Sequence, residues 1–174
     1  SGCTGTDNIT ASLTSTGAQA SGSITMAEPV AETIRFEDAT PNLIAIRGTG
    51  SASDLTESSL MTFKVTDLEG NPVTDSRVNF SLEQNTGGIA LYCAEDPFCT
   101  YADQESQSNG RSARSTDLSD LDGIVTARVL SGYVATPVRV LAYVDINNND
   151  LQDEGEPTSI SKSLVVSTGL PDQN

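Results

Sequence analysis

The stretch from Ser59 to Leu82 limits what this chain can fold into more than any other. Met61, Phe63 and Val65 alternate with Leu60, Thr62 and Lys64. Asp67-Leu68-Glu69-Gly70-Asn71-Pro72 supplies turn chemistry, after which Val78, Phe80 and Leu82 alternate with Arg77, Asn79 and Ser81. A repeat of two sends successive side chains to opposite faces of an extended chain, so each run predicts a strand with one packed and one wet face. Slipping the register by one residue would bury the polar set, and the pattern therefore fixes its own pairing. Comparable runs follow at Ile89-Ala90-Leu91-Tyr92, at Val125, Ala127 and Val129 behind Asp122-Gly123, at Val138, Val140, Ala142 and Val144, and from Ile160 to Val166. With Leu43, Ile44 and Ile46 opening the series, the expectation is an all-β, antiparallel β-sandwich of about seven strands.

Aromatic residues make up only 5% of the chain, so the core has to be built from Val, Ile, Leu and Ala around a few phenylalanines. The alternation places Ile46, Met61, Phe63, Val65, Val78, Phe80, Leu82, Val125, Ala127, Val129, Val138, Val140, Ala142 and Val144 inside. The N-terminal part is different. Ser1 to Ser23 hold Ile9 and Leu13 as their large aliphatics, too little apolar area to offset the entropy of ordering. Ile24, Met26, Val30, Ile34 and Phe36 then share one even-numbered phase, broken by Glu28, Pro29 and Glu32, and read as an extended edge strand able to pair with another chain. The expected division is an extended low-complexity segment or donor strand over 1–32, a sandwich over 33–167 and a C-terminal linker over 168–174.

Charge and composition exclude several functions. A net charge of −15 repels the phosphates of nucleic acid and anionic lipid surfaces. Histidine is absent, which removes Ser-His-Asp and Cys-His catalysis and histidine-ligated zinc. No run of 18 apolar residues occurs, so no segment reads as a membrane-spanning helix. Ser159-Ile160-Ser161-Lys162 matches a Ser-x-x-Lys string, but on a strand its two end residues point to opposite faces. The expected chain is not an enzyme.

Asp145 to Glu156, DINNNDLQDEGE, is the sharpest local motif. Oxygen-bearing side chains fall at positions one, three, five, nine and twelve of the loop, at Asp145, Asn147, Asn149, Asp153 and Glu156, with the Leu151 carbonyl at position seven. That is the spacing by which an EF-hand-like loop wraps Ca2+. Position six is Asp150 where glycine is usual, and Asp tolerates the left-handed backbone required there. Asp117, Asp120 and Asp122 form a second acidic stretch that reads as turn chemistry. Cys93 and Cys99 enclose a short loop and read as a disulfide, which points to an oxidising compartment. Cys3, in Ser1-Gly2-Cys3, is a lipid-anchor site, half of an intermolecular disulfide, or an unpaired thiol.

Phe63-Lys64-Val65-Thr66-Asp67 leading to Gly70-Asn71-Pro72-Val73, Val78-Asn79-Phe80-Ser81, and Thr116-Asp117 with Asp122-Gly123-Ile124-Val125-Thr126-Ala127 ending at Ser131-Gly132 together resemble the bacterial immunoglobulin-like repeats of the invasin and intimin type. The resemblance covers roughly Ile34 to Ser167. It implies an immunoglobulin-like fold and a structural or adhesion module of a bacterial cell-surface or secreted protein, partnered by other such modules or by copies of itself. The alternative is a subunit of an extracellular, pilus-like filament that polymerises by adding its N-terminal strand to the next subunit.

Overall fold

Alternation from Ser58 to Thr66 is realised without a break: Met61, Phe63 and Val65 are fully buried while Thr62 and Lys64 face outward. The computed structural model describes residues 5–26, 29–50, 55–93 and 110–168 and divides into two units, Ser1–Val30 and Ala31–Asn174. The first holds β1 (Gly5–Ser12) and β2 (Gln19–Met26). The second holds β3 (Thr33–Thr40), β4 (Leu43–Ala45), β5 (Ser58–Thr66), β6 (Arg77–Leu82), β7 (Ala90–Tyr92), β8 (Arg111–Ser112), β9 (Arg114–Leu118), β10 (Ile124–Leu130), β11 (Pro137–Val138), β12 (Val140–Val144), β13 (Thr158–Ile160) and β14 (Leu164–Ser167).

One layer of the second unit runs β3-β5-β10-β7-β8 and the other contains β13-β12-β6-β9. A short sheet, β11-β14-β4, prolongs the second layer. Only Arg139 separates β11 from β12, and β13 and β14 are parted at Ser161, whose hydroxyl accepts the Val140 N–H at 2.9 Å and whose own N–H goes to the Val140 carbonyl. The single closing strand expected from Ile160 to Val166 is thus two, because Ser161 replaces a rung of the ladder with its side chain. Among the described residues, all sandwich pairings are antiparallel except β14 with β4. With the short β4, β8 and β11 and the added edge strand β9 set aside, β3, β5, β10 and β7 take the A, B, E and D places of one sheet and β6, β12 and β13–β14 the C, F and G places of the other, the arrangement of an immunoglobulin-like sandwich.

Three phenylalanines tie the layers together. Phe36 meets Phe63 edge-on with centroids 5.4 Å apart, and Phe63 meets Phe80 across the sandwich at 5.5 Å. Ile46 and Leu82, expected inside, only pack partly buried against this cluster, while Ile34, Ile44, Ile89, Leu91, Leu164 and Val166 complete it. Gly123, at φ +73°, turns the chain into β10 where an added Cβ would lie 2.4 Å from the Val65 carbonyl oxygen.

The N-terminal expectations are corrected. Residues 5–26 are a β-hairpin rather than a tail, with β1 and β2 in register from Gly5↔Met26 to Ser12↔Gln19. Strand-forming Thr, Ser and Ile, together with a turn that puts Gly17 at φ +73°, allow the pairing that apolar content alone did not suggest. The assembly strand proposed from Ile24, Met26, Val30, Ile34 and Phe36 is not one strand: Ile24 and Met26 belong to β2, Val30 lies outside any strand, and Ile34 and Phe36 belong to β3, paired with Val65 and Phe63. Proline at position 29 offers no N–H to a ladder, and the pairing partner changes across it. The sandwich starts at Ala31, which is buried, and Glu32 donates its N–H to the Thr66 carbonyl, so the boundary falls before residue 31 and not after 32. Residues 169–174, most of the expected linker, lie outside the described residues.

The sandwich has two poles. Thr33 pairs with Thr66, Thr40 with Leu60, and the Ala45 N–H reaches the Thr56 carbonyl, so β3 and β4 climb the length of β5 in one direction. Ser167 lies beside Ala45. The chain therefore enters the sandwich at the Thr66 pole and leaves at the Thr56 pole, about 30 Å away at the rise of an extended strand.

Truncating Phe80, which is fully buried between both layers, to alanine should cost about 3–5 kcal/mol through the cavity left behind. Urea unfolding monitored by circular dichroism measures it, and a loss under about 1 kcal/mol would contradict the packing described.

Candidate functional site

The outer face of the second layer and the loop between β12 and β13 form one structure. Along β12 the core phase is Val140, Ala142 and Val144, so Leu141, Tyr143 and Asp145 point away from the core. On β6 the matching outward residues are Arg77, Asn79 and Ser81, and on β9 they are Arg114, Thr116 and Leu118. Outward residues of such a sheet are ordinarily wet, yet Tyr143 is 6% exposed and Asn79 5%. The loop 145–157 covers them: the Tyr143 hydroxyl donates to the Asp150 carbonyl at 3.0 Å.

Asp145 anchors that loop. Its carboxylate is fully buried and accepts Asn79 Nδ2 at 2.9 Å and the N–H groups of Asn149 and Asp150 at 3.0 Å each. Arg77 brings its Nη1 to 3.8 Å from the same carboxylate and binds Asp150 through Nη2. Thr116 completes the row by donating to Asn79 Oδ1 at 2.6 Å. A buried charge persists only with a counter-charge and satisfied hydrogen bonds, and Arg77, Asn79 and two loop amides supply both.

The structure brings the expected calcium-loop residues together. Asn147 Nδ2 and Asn149 Nδ2 each donate to Asp153 Oδ2 at 2.7 Å. Asn147 Oδ1 takes the Asn149 N–H and Asn149 Oδ1 takes the Leu151 N–H. Glu156 closes the loop by accepting the N–H groups of Ile146 and Asp153 at 3.0 Å each. Asn148 and Asp150 occupy the left-handed region at φ 57° and 63°, as the replacement of glycine at position six requires. An all-oxygen donor set suits a hard cation. Among the described residues, however, no three acidic, cysteine or histidine side chains are gathered as a metal cluster. The loop is held by its own hydrogen bonds, with amide nitrogens where a cation would take amide oxygens.

A recess of about 250 Å³ opens beside this loop, lined by residues that include Asn79, Ser81, Arg114, Leu141, Tyr143 and Gln152. The remaining sequence motifs are structural. Asp120 Oδ1 accepts the N–H groups of Asp122 and Ile124 in a turn, and Asp117 Oδ2 accepts the Thr126 N–H at 2.7 Å. Ser159 Oγ takes the Phe36 N–H at 3.1 Å, which commits the hydroxyl of the Ser-x-x-Lys string to the fold. Cys93 is buried and disulfide-bonded. Cys99 and Cys3 both lie outside the described residues.

No family model and no curated protein matches the sequence. Among solved structures the chain is similar to the D0-D1 domain of intimin, at 13% identity and a TM-score of 0.43, over 93% of this chain and 62% of that one. It is also similar to the Escherichia coli adhesin FdeC, at 13% identity and a TM-score of 0.44, over 87% of this chain and 37% of that one. A glycosyl hydrolase family 2 member from Bacteroides cellulosilyticus is similar at 16% identity and a TM-score of 0.45, over 95% of this chain and 18% of that one. This chain spans less than two thirds of each. At such scores these likenesses carry no functional argument, and the fold rests on the pairings described above.

Burial pushes the Tyr143 phenol above its ordinary value, against the opposing pull of the Asn79 hydrogen bond. In the unfolded chain the phenol ionises first, so its contribution to stability is complete below pH about 10 and is lost as pH rises through the raised folded value. Tyr143→Phe should lose about 1 kcal/mol at neutral pH with the Asp150 bond, and should flatten the decline of Tm above pH about 10. Thermal melts of both proteins across that range check the sign.

Proposed function

We propose that this chain is a non-enzymatic structural and adhesion module of a bacterial cell-surface or secreted protein, standing in series with other immunoglobulin-like modules or copies of itself. The observation that supports it most is the path of the chain: it enters the sandwich at one pole and leaves at the other, which lets modules be strung end to end without crossing. The disulfide at Cys93 supports an oxidising, extracellular setting. Pairing with Cys99 is the proposal for its partner, since the loop between them is short enough to close. The acidic composition favours solubility outside the cell. A filament subunit of the kind expected would need Ile24 to Phe36 on one free strand, and those residues are divided between β2 and β3, which favours the module reading. Protease treatment of intact cells of the source organism tests the module reading. Digestion without lysis is expected, and protection until lysis would overturn it.

Calcium at Asp145, Asn147, Asn149, the Leu151 carbonyl, Asp153 and Glu156 belongs to the same proposal. The loop already gathers these groups, and the cation would offset the charge of Asp153 and Glu156 in place of amide N–H donors. At free calcium about a hundred times Kd the bound ion should add about 2.7 kcal/mol, a rise in Tm on the order of 5–10 °C. Glu156→Gln should remove most of that rise. An unchanged melt at millimolar calcium would show that hydrogen bonds alone hold the loop.

A further inference from the structure

The trailing pole, where Ser167 ends beside Ala45, carries a second constellation. Two tight turns meet there: Gly87 and Gly88, at φ +68° and +78°, lie against Ser131-Gly132, and a Cβ on Gly132 would sit 2.2 Å from the Gly87 carbonyl oxygen. That junction fixes the main chain at Arg47 and Tyr133 and the side chain of Arg111. Arg47 donates its N–H to Gly132 O at 2.8 Å and Tyr133 donates its N–H to Gly87 O at 2.7 Å. Arg111 donates from Nη2 to Gly88 O at 2.8 Å and to Ser131 O at 2.7 Å.

The side chains continue as an alternating row. The Arg47 guanidinium lies 5.2 Å from the Tyr133 ring centroid, and that of Arg128 lies 5.8 Å from the Tyr92 centroid. Tyr92 pairs with Arg111 between β7 and β8. Their neighbours Leu91 and Val129 are fully buried in the core, which puts Tyr92 and Arg128 on the outer face of the first layer. Arg47, Arg128 and Tyr133 are exposed, Tyr133 by 64%. Burial first, and the neighbouring Arg47 charge second, pull the Arg111 guanidinium below its ordinary value. Three of the nine basic residues of a chain with net charge −15 are thus set side by side. Salt screens the acidity elsewhere beyond about 8 Å. Glu57, the one carboxylate among the described residues that acts on Arg111, is engaged by the N–H groups of Gly48 and Gly50, so three guanidinium groups against one carboxylate leave the local sign positive.

We propose that Arg47, Arg111 and Arg128, with Tyr133 and Tyr92 between them, form a binding site for an acidic polysaccharide. Guanidinium groups take carboxylate or sulfate oxygens in a fixed fork. The tyrosine rings offer flat faces to the C–H side of a sugar ring between charges. An acidic peptide added as a strand would need a sheet edge, whereas the row lies across the outer face of β7 and β10, where Leu91 and Val129 are each paired on both sides. Double-stranded nucleic acid carries a charge every 1.7 Å or so along its axis, a density with no spacing for the rings.

The proposal deepens the adhesion reading by naming a ligand class, but its test uses the purified chain and is independent of where the protein resides. Binding to immobilised polygalacturonate, dextran sulfate, neutral dextran and poly-glutamate is measured at low and at physiological salt. Binding to polygalacturonate or dextran sulfate is expected, with none to dextran, and the better of the two identifies the acidic group. Arg47→Glu and Arg128→Glu should each weaken binding about tenfold or more. Tyr133→Ala should weaken it as well, which a purely ionic contact would not show. All three residues are at the surface, and unchanged circular dichroism confirms folding. Lys162→Glu makes the same change of charge away from the row and should leave binding unchanged. The site is overturned if neither anionic glycan binds, if Lys162→Glu weakens binding equally, or if poly-glutamate is preferred. Surface location, read on intact cells, would stand in each case.

Discussion

The stack of Phe36, Phe63 and Phe80 is the contact on which the sandwich depends. Two sheets of short, β-branched and alanine-rich strands have little area per residue to bury, and with aromatics at 5% of the chain the few large rings must span the gap between layers. Phe36 and Phe63 come from β3 and β5 of one sheet and Phe80 from β6 of the other. Each ring buries far more surface than a valine, and edge-on and tilted contacts add to that. The valines around them fill space whose width the phenylalanines have set.

Closure of the core dictates where the polar chemistry can go. With Val140, Ala142 and Val144 turned inward, Asp145 must emerge on the outer face, and the sheet already has Arg77 and Asn79 there in adjacent register. The loop that follows is drawn back onto the sheet by that buried charge instead of projecting as a solvated tip. Tyr143 is covered as a consequence, and the recess beside it exists because the loop stops short of Ser81 and Arg114.

Much of this was legible from residue order alone. The alternation of Met61, Phe63 and Val65 and of Val78 and Phe80 reports burial directly, since a sheet face and a sequence phase are the same thing. The loop from Asp145 to Glu156 was legible because the hydrogen bonds within it are local, each spanning less than a dozen residues, whereas its anchoring to Arg77 and Asn79 was not. What escaped was non-local. Tyr143 and Asn79 occupy the wet phase, and only a loop folding back from further along the chain buries them. The hairpin of residues 5–26 escaped because its partners are threonines and serines, whose pairing leaves no apolar signature. The Arg47, Arg111, Arg128 row could not be read either: its members are up to 81 residues apart in sequence and meet only after β7, β8 and β10 are in register. The doubled glycines at 87 and 88 and the Ser131-Gly132 pair were its one local trace, marking a close backbone approach without saying what it presents.

The edge of the first layer shows how the same acidic composition serves the fold. Strand β7 meets β10 only at Val129 and Leu130, which leaves the earlier part of that side of β10 without a strand neighbour among the described residues. A stretch without a strand neighbour invites another chain unless its main-chain groups are bonded otherwise, and Ile124 already exchanges hydrogen bonds with Asp120. Asp117 sits in the inward phase of β9, opposite Val78, and its carboxylate takes both the N–H and the hydroxyl of Thr126. An inward-pointing charge on the neighbouring layer thus occupies the main-chain donor that an intruding strand would use. Strand addition at Thr126 is thereby closed by a side chain and not by a neighbouring strand.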